Sequence, residues 1–399
     1  MEQALRKAAG EEHVASKTDH LVFLSVVFCF WFCTYIYIPV FGLYLEDIGF
    51  SYSIIGIILG SYGVTQIILR FPLGVLSDRL AGLRKPLFIS GFVIAFISSL
   101  LLIFTQSFIG IFTSRLLAGI TAAMWVMATV LYSQYFKTED ASKAMSRVQF
   151  LTVFAQFFSM MISGYLVIQL GWSFPFWVAA VTSIIGLILA FRIKEVTVST
   201  NKKPIKITSH IQKTYQIHGL KTITFLSLSG HAILFITIFG FSPMYTTQLS
   251  SGSHAITLLV CSFFIPHALA SVWLMFYQID IRKQKLVLLV CFIFIALLLF
   301  MPPLVNSFLL FCLIHAGIGL LLGIIFPLLL GMVIQLATSE MKSSAMGFYQ
   351  SFYAIGILAG PLVAGEFADR ISLPFVFFLC GIISLCGFII LLFYRPNYQ

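Results

Sequence analysis

Residues Leu286–Leu336 read LVLLVCFIFIALLLFMPPLVNSFLLFCLIHAGIGLLLGIIFPLLLGMVIQL, with no Asp, Glu, Lys or Arg among them. Pro302, Pro303, Asn306 and Ser307 break the run into apolar stretches at 286–305 and 308–336. A helix needs about 20 such residues to cross the hydrocarbon core of a bilayer. The strands of a membrane barrel would alternate instead of running solidly apolar. The segment therefore predicts two membrane-spanning helices joined by a short turn.

Outward from that hairpin the pattern recurs. Apolar runs occupy 21–45, 51–76, 86–105, 108–134, 145–169 and 173–193, and after a polar stretch 222–247, 254–278, 286–305, 308–336, 344–367 and 374–394. The prediction is an all-α membrane protein with twelve transmembrane helices in two six-helix bundles, residues 21–193 and 222–394. Composition agrees, since 60% of the 399 residues are hydrophobic and 10% charged. Soluble domains carry roughly 45–50% and 25%. A soluble enzyme on a single anchor is excluded.

The first twenty residues, Met1–His20, are polar and of mixed charge without an apolar core. They read as a cytoplasmic tail rather than a signal peptide. Residues 194–221 form a basic linker with Pro204 and a Ser/Thr-rich stretch, and 395–399 a second short tail. The linker suits a solvated connector, with anionic headgroups as the alternative contact. With the N-terminus inside, the loops near 79–85, 137–147, 192–221, 282–285 and 342, with both termini, hold 21 of the 24 Lys and Arg residues. This positive-inside bias places both termini in the cytoplasm. It also accounts for the net charge of +10 without a nucleic-acid partner. The seven cysteines are scattered without a CxxC or zinc-like spacing, so neither a disulfide framework nor a metal site is expected.

An internal repeat decides the architecture. Ala144-Met145-x-x-x-Gln149 recurs as Ala345-Met346-x-x-x-Gln350, and Ser173-x-Pro175-Phe176 as Ser372-x-Pro374-Phe375. Arg115-x-x-x-Gly119 aligns with His315-x-x-x-Gly319, and Pro39 and Leu45 align with Pro243 and Leu249. The offsets, 199 to 204, match a duplicated six-helix unit. Two such halves related by an axis along the membrane normal are a transporter plan with its site near the midplane between them.

The loop after span 2 reads Gly74-Val75-Leu76-Ser77-Asp78-Arg79-Leu80-Ala81-Gly82-Leu83-Arg84-Lys85-Pro86. Gly74 permits close helix approach. Asp78 is placed to accept hydrogen bonds from the start of span 11 near Ser343 and to favour its positive dipole end. Arg79 then serves as its partner or as a headgroup anchor. The stretch resembles the signature of the major facilitator superfamily, small-x-x-x-Asp-Arg-x-Gly-Arg-Lys, lengthened here on each side of Gly82. That resemblance implies a conformational switch made of Gly74, Asp78, Arg79, Gly82, Arg84 and Lys85. It also implies the major facilitator fold, with alternating access to a site lined by helices 1, 4, 7 and 10. Arg115 and Gly119 are similar to the family's helix-4 motif. An arginine at that depth costs at least ~2.5–3.5 kcal/mol, so it must face a partner or a wet cavity. In span 11, Gly356 and Gly360 form a small-xxx-small packing face and Pro361 bends the helix. The Gly-Pro motif of the family's drug/proton antiporters is missing from Phe154–Gly164, whereas Tyr37-Ile38-Pro39-Val40 resembles another of their motifs.

No carboxylate falls at mid-membrane: Glu46 and Asp47 end span 1, and Glu366 lies at the outer end of span 11. His231, His267 and His315 lie within apolar runs, and histidine changes charge most readily near neutral pH. Gln149 and Gln156 share a face of span 5, and Tyr35 and Tyr37 add hydroxyls to span 1. The candidates for solute binding or coupling are thus Arg115, His315, His231, Gln149, Gln156, Tyr35, Tyr37 and Glu366, with helix packing as the competing reading for each. Arg115 and His315 are expected at similar depth across the central cavity. Arg115 would orient an anionic or polar group of the solute, and His315 would couple transport to protons, with Glu366 as the alternative carrier.

The expected function is secondary transport of a small solute, efflux-type on the resemblance, by a monomer in the plasma membrane surrounded by its lipids. Uptake by proton symport or facilitated diffusion is the alternative direction. A lipid-modifying enzyme is the alternative outside transport, but no clustered His/Asp/Glu or Cys/His constellation supports enzyme chemistry. A transporter-like sensor would carry an extra soluble domain, and the linker is too short for one. No Walker A sequence suggests an ATP-binding domain, and no cofactor is expected beyond proton coupling. On a cysteine-free background, an impermeant maleimide added outside should label Ser251→Cys and not Ser199→Cys. The reverse pattern would invert the topology.

Overall fold

Lipid offers a backbone no hydrogen-bond partner, so a spanning segment must satisfy its own N–H and C=O groups as a helix. The computed structural model describes residues 15–76, 81–136, 141–195, 207–250, 252, 254–277, 279–338 and 341–394, and among these it contains no strand. In the first half are α1 (Lys17–Tyr35), α2 (Ile38–Asp47), α3 (Tyr52–Leu76), α4 (Arg84–Phe104), α5 (Phe108–Ala123), α6 (Trp125–Ser133), α7 (Ala141–Leu170) and α8 (Phe174–Phe191). After α9 (Ile207–Gln216) come α10 (Leu220–Ile236), α11 (Ser242–Leu249), α12 (Ala255–Phe276), α13 (Ile281–Phe300), α14 (Phe308–Leu336), α15 (Lys342–Arg370) and α16 (Phe375–Phe393). They make the twelve expected spans. Asp78 and Arg79 of the loop motif lie outside the described residues, as do residues 1–14, 196–206 and 395–399.

Three spans are helix pairs. Span 1 is α1 with α2, span 4 is α5 with α6, and span 7 is α10 with α11 across a π-helical turn, Thr237–Phe241. Pro39 and Pro243 each sit in the first turn of the second helix, where a missing N–H costs nothing. Their common offset therefore marks the same break in each half. The basic linker is not wholly irregular: α9 lies within it, and Tyr215 sets its ring 6.1 Å from that of Phe348 on α15.

Packing repeats the duplication in detail. Lys85 at the start of α4 donates to the Ile193 carbonyl just past α8 at 2.8 Å. Lys285, 200 positions on, donates from α13 to the Leu392 and Tyr394 carbonyls at the end of α16, at 3.1 and 2.6 Å. Each lysine thus serves carbonyls that a helix C-terminus leaves unpaired. Gly186 lies against the Phe92 ring and Gly387 against the Phe292 ring. Gly119 lies on the Tyr62 carbonyl and Gly319 on the Phe263 carbonyl. These pairs are the two halves superposed.

The halves meet along α3 and α15. Gly56, Gly60 and Gly63 face the backbone carbonyls of Pro361, Leu358 and Ala354, and Gly365 faces that of Tyr52. Toward one end of the seam, a Cβ on Gly347 would stand 3.2 Å from the Gly74 Cα. Small residues permit such approach, and in lipid close packing drives helix association. At the opposite end Asp369 accepts from the Tyr52 and Ser53 amides at 2.9 and 2.7 Å, capping α3, while Glu366 accepts from Ser53 Oγ at 2.7 Å. Gly356 and Gly360 turn the other way, onto Leu228 and Ala232 of α10 in their own half. A second seam joins α7 and α12, where Thr257 Oγ1 donates to the Met161 carbonyl at 3.1 Å.

Gly56→Val pushes a side chain into the Pro361 carbonyl and should cost about 1–3 kcal/mol, the usual penalty of overpacking. Gly331→Ala meets nothing within 4 Å and should be neutral. Thermal unfolding in detergent compares the two, and equal midpoints would remove the seam from its central role.

Candidate functional site: the central cavity

Between the halves lies a cavity of about 170 Å³. The first half contributes Trp31 and Tyr35 from α1, Tyr62, Gln66 and Arg70 from α3, Trp125 from α6, and Gln149, Thr152 and Gln156 from α7. The second contributes His231 and Phe235 from α10, Phe239 from the π turn, Phe263, Phe264 and His267 from α12, Phe326 from α14 and Tyr353 from α15. Aromatic rings dominate, and no carboxylate is among the lining residues. A separate cleft of about 450 Å³ is lined by Val40, Glu46, Asp47, Trp172 and Ile256 among others.

Periodicity explains the polar set. Tyr62, Gln66 and Arg70 recur every four residues and so share one face of α3. Gln149 and Gln156 fall two turns apart on α7. Arg70 is 3% exposed. Its Nη1 donates to the Tyr353 hydroxyl, and Nη2 reaches the Ala122 carbonyl at a long 3.4 Å. Nε has no partner. Gln66 Nε2 donates to the Tyr62 carbonyl at 2.8 Å, which fixes the amide orientation because that carbonyl only accepts. Gln66 Oε1 is then unpartnered, as is Trp31 Nε1. His231 stacks on Tyr353 with centroids 3.8 Å apart, and its Nδ1 donates to the Ser227 carbonyl at 2.8 Å.

Of the residues singled out from sequence, Tyr35, Gln149, Gln156 and His231 come together in this cavity; Tyr37, Arg115, His315 and Glu366 do not line it. Arg115, 1% exposed, donates to the Tyr37 hydroxyl at 3.2 Å. Its guanidinium lies 4.7 Å from the Tyr62 centroid and 5.4 Å from that of Phe41. It stands one ring behind the cavity wall. His315, fully buried, uses both ring nitrogens: Nδ1 donates to the Phe311 carbonyl at 3.0 Å, and Nε2 accepts from Ser242 Oγ at 2.8 Å. Each half therefore ties its Arg115 or His315 to the break in its own span 1 or 7, at Tyr37 or Ser242. Both His315 ring nitrogens are taken; Arg115 Nε has no partner, but Tyr62 stands between its guanidinium and the lumen. Glu366 belongs to the α3–α15 seam and pairs with Arg370. In the loop motif, Arg84 is buried, Lys85 caps α8, and Gly82 has open space around it.

Sequence reading left Trp31, Gln66, Arg70 and Trp125 out of the site. Arg70 carried a signal, a lone charge within an apolar run with a glutamine one turn before it. Among the described residues no three His, Cys, Asp or Glu side chains cluster to hold a metal ion.

Residues 23–253 and 222–399 match the model of the Major Facilitator Superfamily. Multidrug resistance protein 2 of Bacillus subtilis is 22% identical over 393 residues, covering 96% of both chains. Inner membrane transport protein YajR of Escherichia coli is 29% identical over 151 residues, 37% of this chain and 32% of its own. A mutant form of the nucleoside transporter NupG superposes with a TM-score of 0.75 at 14% identity, covering 93% of this chain and 98% of that one. Twelve spans, two halves packed in the same pattern, and family matches reaching from Phe23 to the C-terminus converge: this multi-pass membrane protein belongs to the major facilitator superfamily of transporters.

Proposed function

We propose that the chain exports a small organic solute across the plasma membrane by alternating access to the central cavity, as a monomer with both termini in the cytoplasm. The observation that carries the reading is a cavity at the meeting of the two halves, lined by α1, α3, α6 and α7 on one side and α10, α12, α14 and α15 on the other. Rocking one half on the other exposes such a site to either side in turn. Similarity to a multidrug resistance protein along 96% of both chains supports export. The positive-inside distribution supports the orientation.

Coupling to protons is assigned to His267, which touches the cavity and faces no cation among the described residues, rather than to His315. His231 faces Arg70, whose charge opposes a second one. No carboxylate lines the cavity to serve as carrier. The groups facing His231 are Arg70 and Tyr353 from α3 and α15, Phe326 from α14 and Ser227 from its own helix. His267 faces Phe263, Phe264, Phe326 and the Gly319 carbonyl.

Two-sided access needs no known solute to test. A single cysteine at Gln156 in sealed vesicles of defined orientation should react with an impermeant maleimide from both sides. Joining Ser53→Cys to Glu366→Cys by oxidation locks the outer ends of α3 and α15. The lock should abolish labelling from outside and spare it from inside, and reductant should reverse the effect. Unchanged outside labelling in the locked protein would sink alternating access at this cavity.

A further inference from the structure

We infer that the central cavity takes a planar aromatic anion, an aryl carboxylate bearing a second hydrogen-bond donor, and that Arg70 meets its negative charge. This rests on the cavity being the transport site.

Arg70 is 97% buried, the complement of its 3% exposure, and among the described residues no carboxylate lines the cavity with it. The ion pairs formed by described residues, Lys85–Glu195, Lys194–Asp19 and Arg370–Glu366, all lie elsewhere. A guanidinium withdrawn from water without a counterion is an unbalanced charge that a bound anion would neutralise. Arg115 adds a second buried cation one ring behind the wall, over Tyr62. The local field therefore selects against cations.

Hydrogen bonding narrows the class. Arg70 Nε–H is unpartnered and Nη2 is held only at 3.4 Å, and together they form the edge that a carboxylate engages with both oxygens. Trp31 Nε1–H is a further buried, unpartnered donor, and Gln66 Oε1 a buried, unpartnered acceptor. Of seven buried side-chain polar atoms without partners among the described residues, three belong to residues lining this cavity, and a bound solute would supply their partners. Arg70 suits the anionic end. Gln66 Oε1, with the amides of Gln149 and Gln156 on the same cavity, suits a hydroxyl or N–H elsewhere on the solute. The walls between are aromatic faces, Trp31, Tyr35, Trp125 and Phe239 among them, suited to stacking a flat ring. A lumen of about 170 Å³ admits a compact solute of that shape.

Titrating the full-length protein in detergent, by calorimetry, with para-hydroxybenzoate, benzoate, para-hydroxybenzamide and benzylammonium separates these features. The hydroxybenzoate should bind about tenfold or more tightly than its uncharged amide. Benzylammonium should show no saturable binding. Benzoate, without the hydroxyl, should bind about two- to tenfold more weakly than hydroxybenzoate, the worth of one hydrogen bond. Arg70→Gln should erase the anion preference, and Gln66→Leu should erase the difference the hydroxyl makes. If Arg70→Gln does not insert, the wild-type series still decides. Equal or tighter binding of the amide or the ammonium overturns the inference, as does binding of none of the four. Two-sided labelling of Gln156→Cys that persists alongside such a result leaves the transport reading standing; its absence removes that reading separately.

Discussion

The arrangement depends on how closely α3 and α15 approach. In lipid, apolar side chains gain little by leaving one hydrocarbon surface for another, so helices associate through van der Waals contact and polar bonds. Glycines at 56, 60, 63 and 365 bring one backbone onto the carbonyls of the other. That seam crosses between the halves and ends in a polar clasp at Asp369 and Glu366. It also brings Arg70 of one half against Tyr353 of the other at the cavity. Between Gly56 and Gly63 the seam is backbone against backbone, with few long side chains to reorder there.

Duplication supplies the rest economically. Lys85 and Lys285, Phe92 and Phe292, Gly119 and Gly319 make the same contacts in each half. Divergence is confined to the chemistry of equivalent places: Arg115 holds Tyr37 where His315 holds Ser242. Gln66 faces the cavity where its counterpart, 201 positions on, is His267. One scaffold thus presents two different polar faces to a single space.

Electrostatics set the character of that space. Two arginines sit inside the membrane with hydroxyls, carbonyls and ring faces for company, and none of these cancels a full charge. Cation–π contacts at 4.7–5.4 Å lessen the cost of burial without neutralising it. Arg115 is supported by two rings and a hydroxyl, as a structural cation would be. Each has an unpartnered Nε, but only Arg70 lines the cavity.

The amino-acid sequence by itself determined the solvent, the count of spans, the duplication and the family, because each is written in composition, run length and spacing. Leu286–Leu336 could only be two helices in lipid, and an offset near 200 could only mean a repeated unit. Part of the site was legible in the same way, as Gln149 and Gln156 fall on one face by helical period alone. Which buried polar groups share the cavity was decided by tertiary structure. Arg115 and His315 had the stronger motif and the exact repeat relation, yet their reach is spent on Tyr37 and Ser242 within their own halves. Arg70 and Gln66 gain their place from α3 lying against α15, a contact between residues nearly 300 positions apart. Periodicity reports which face of a helix a residue occupies, but not which other helix that face will meet.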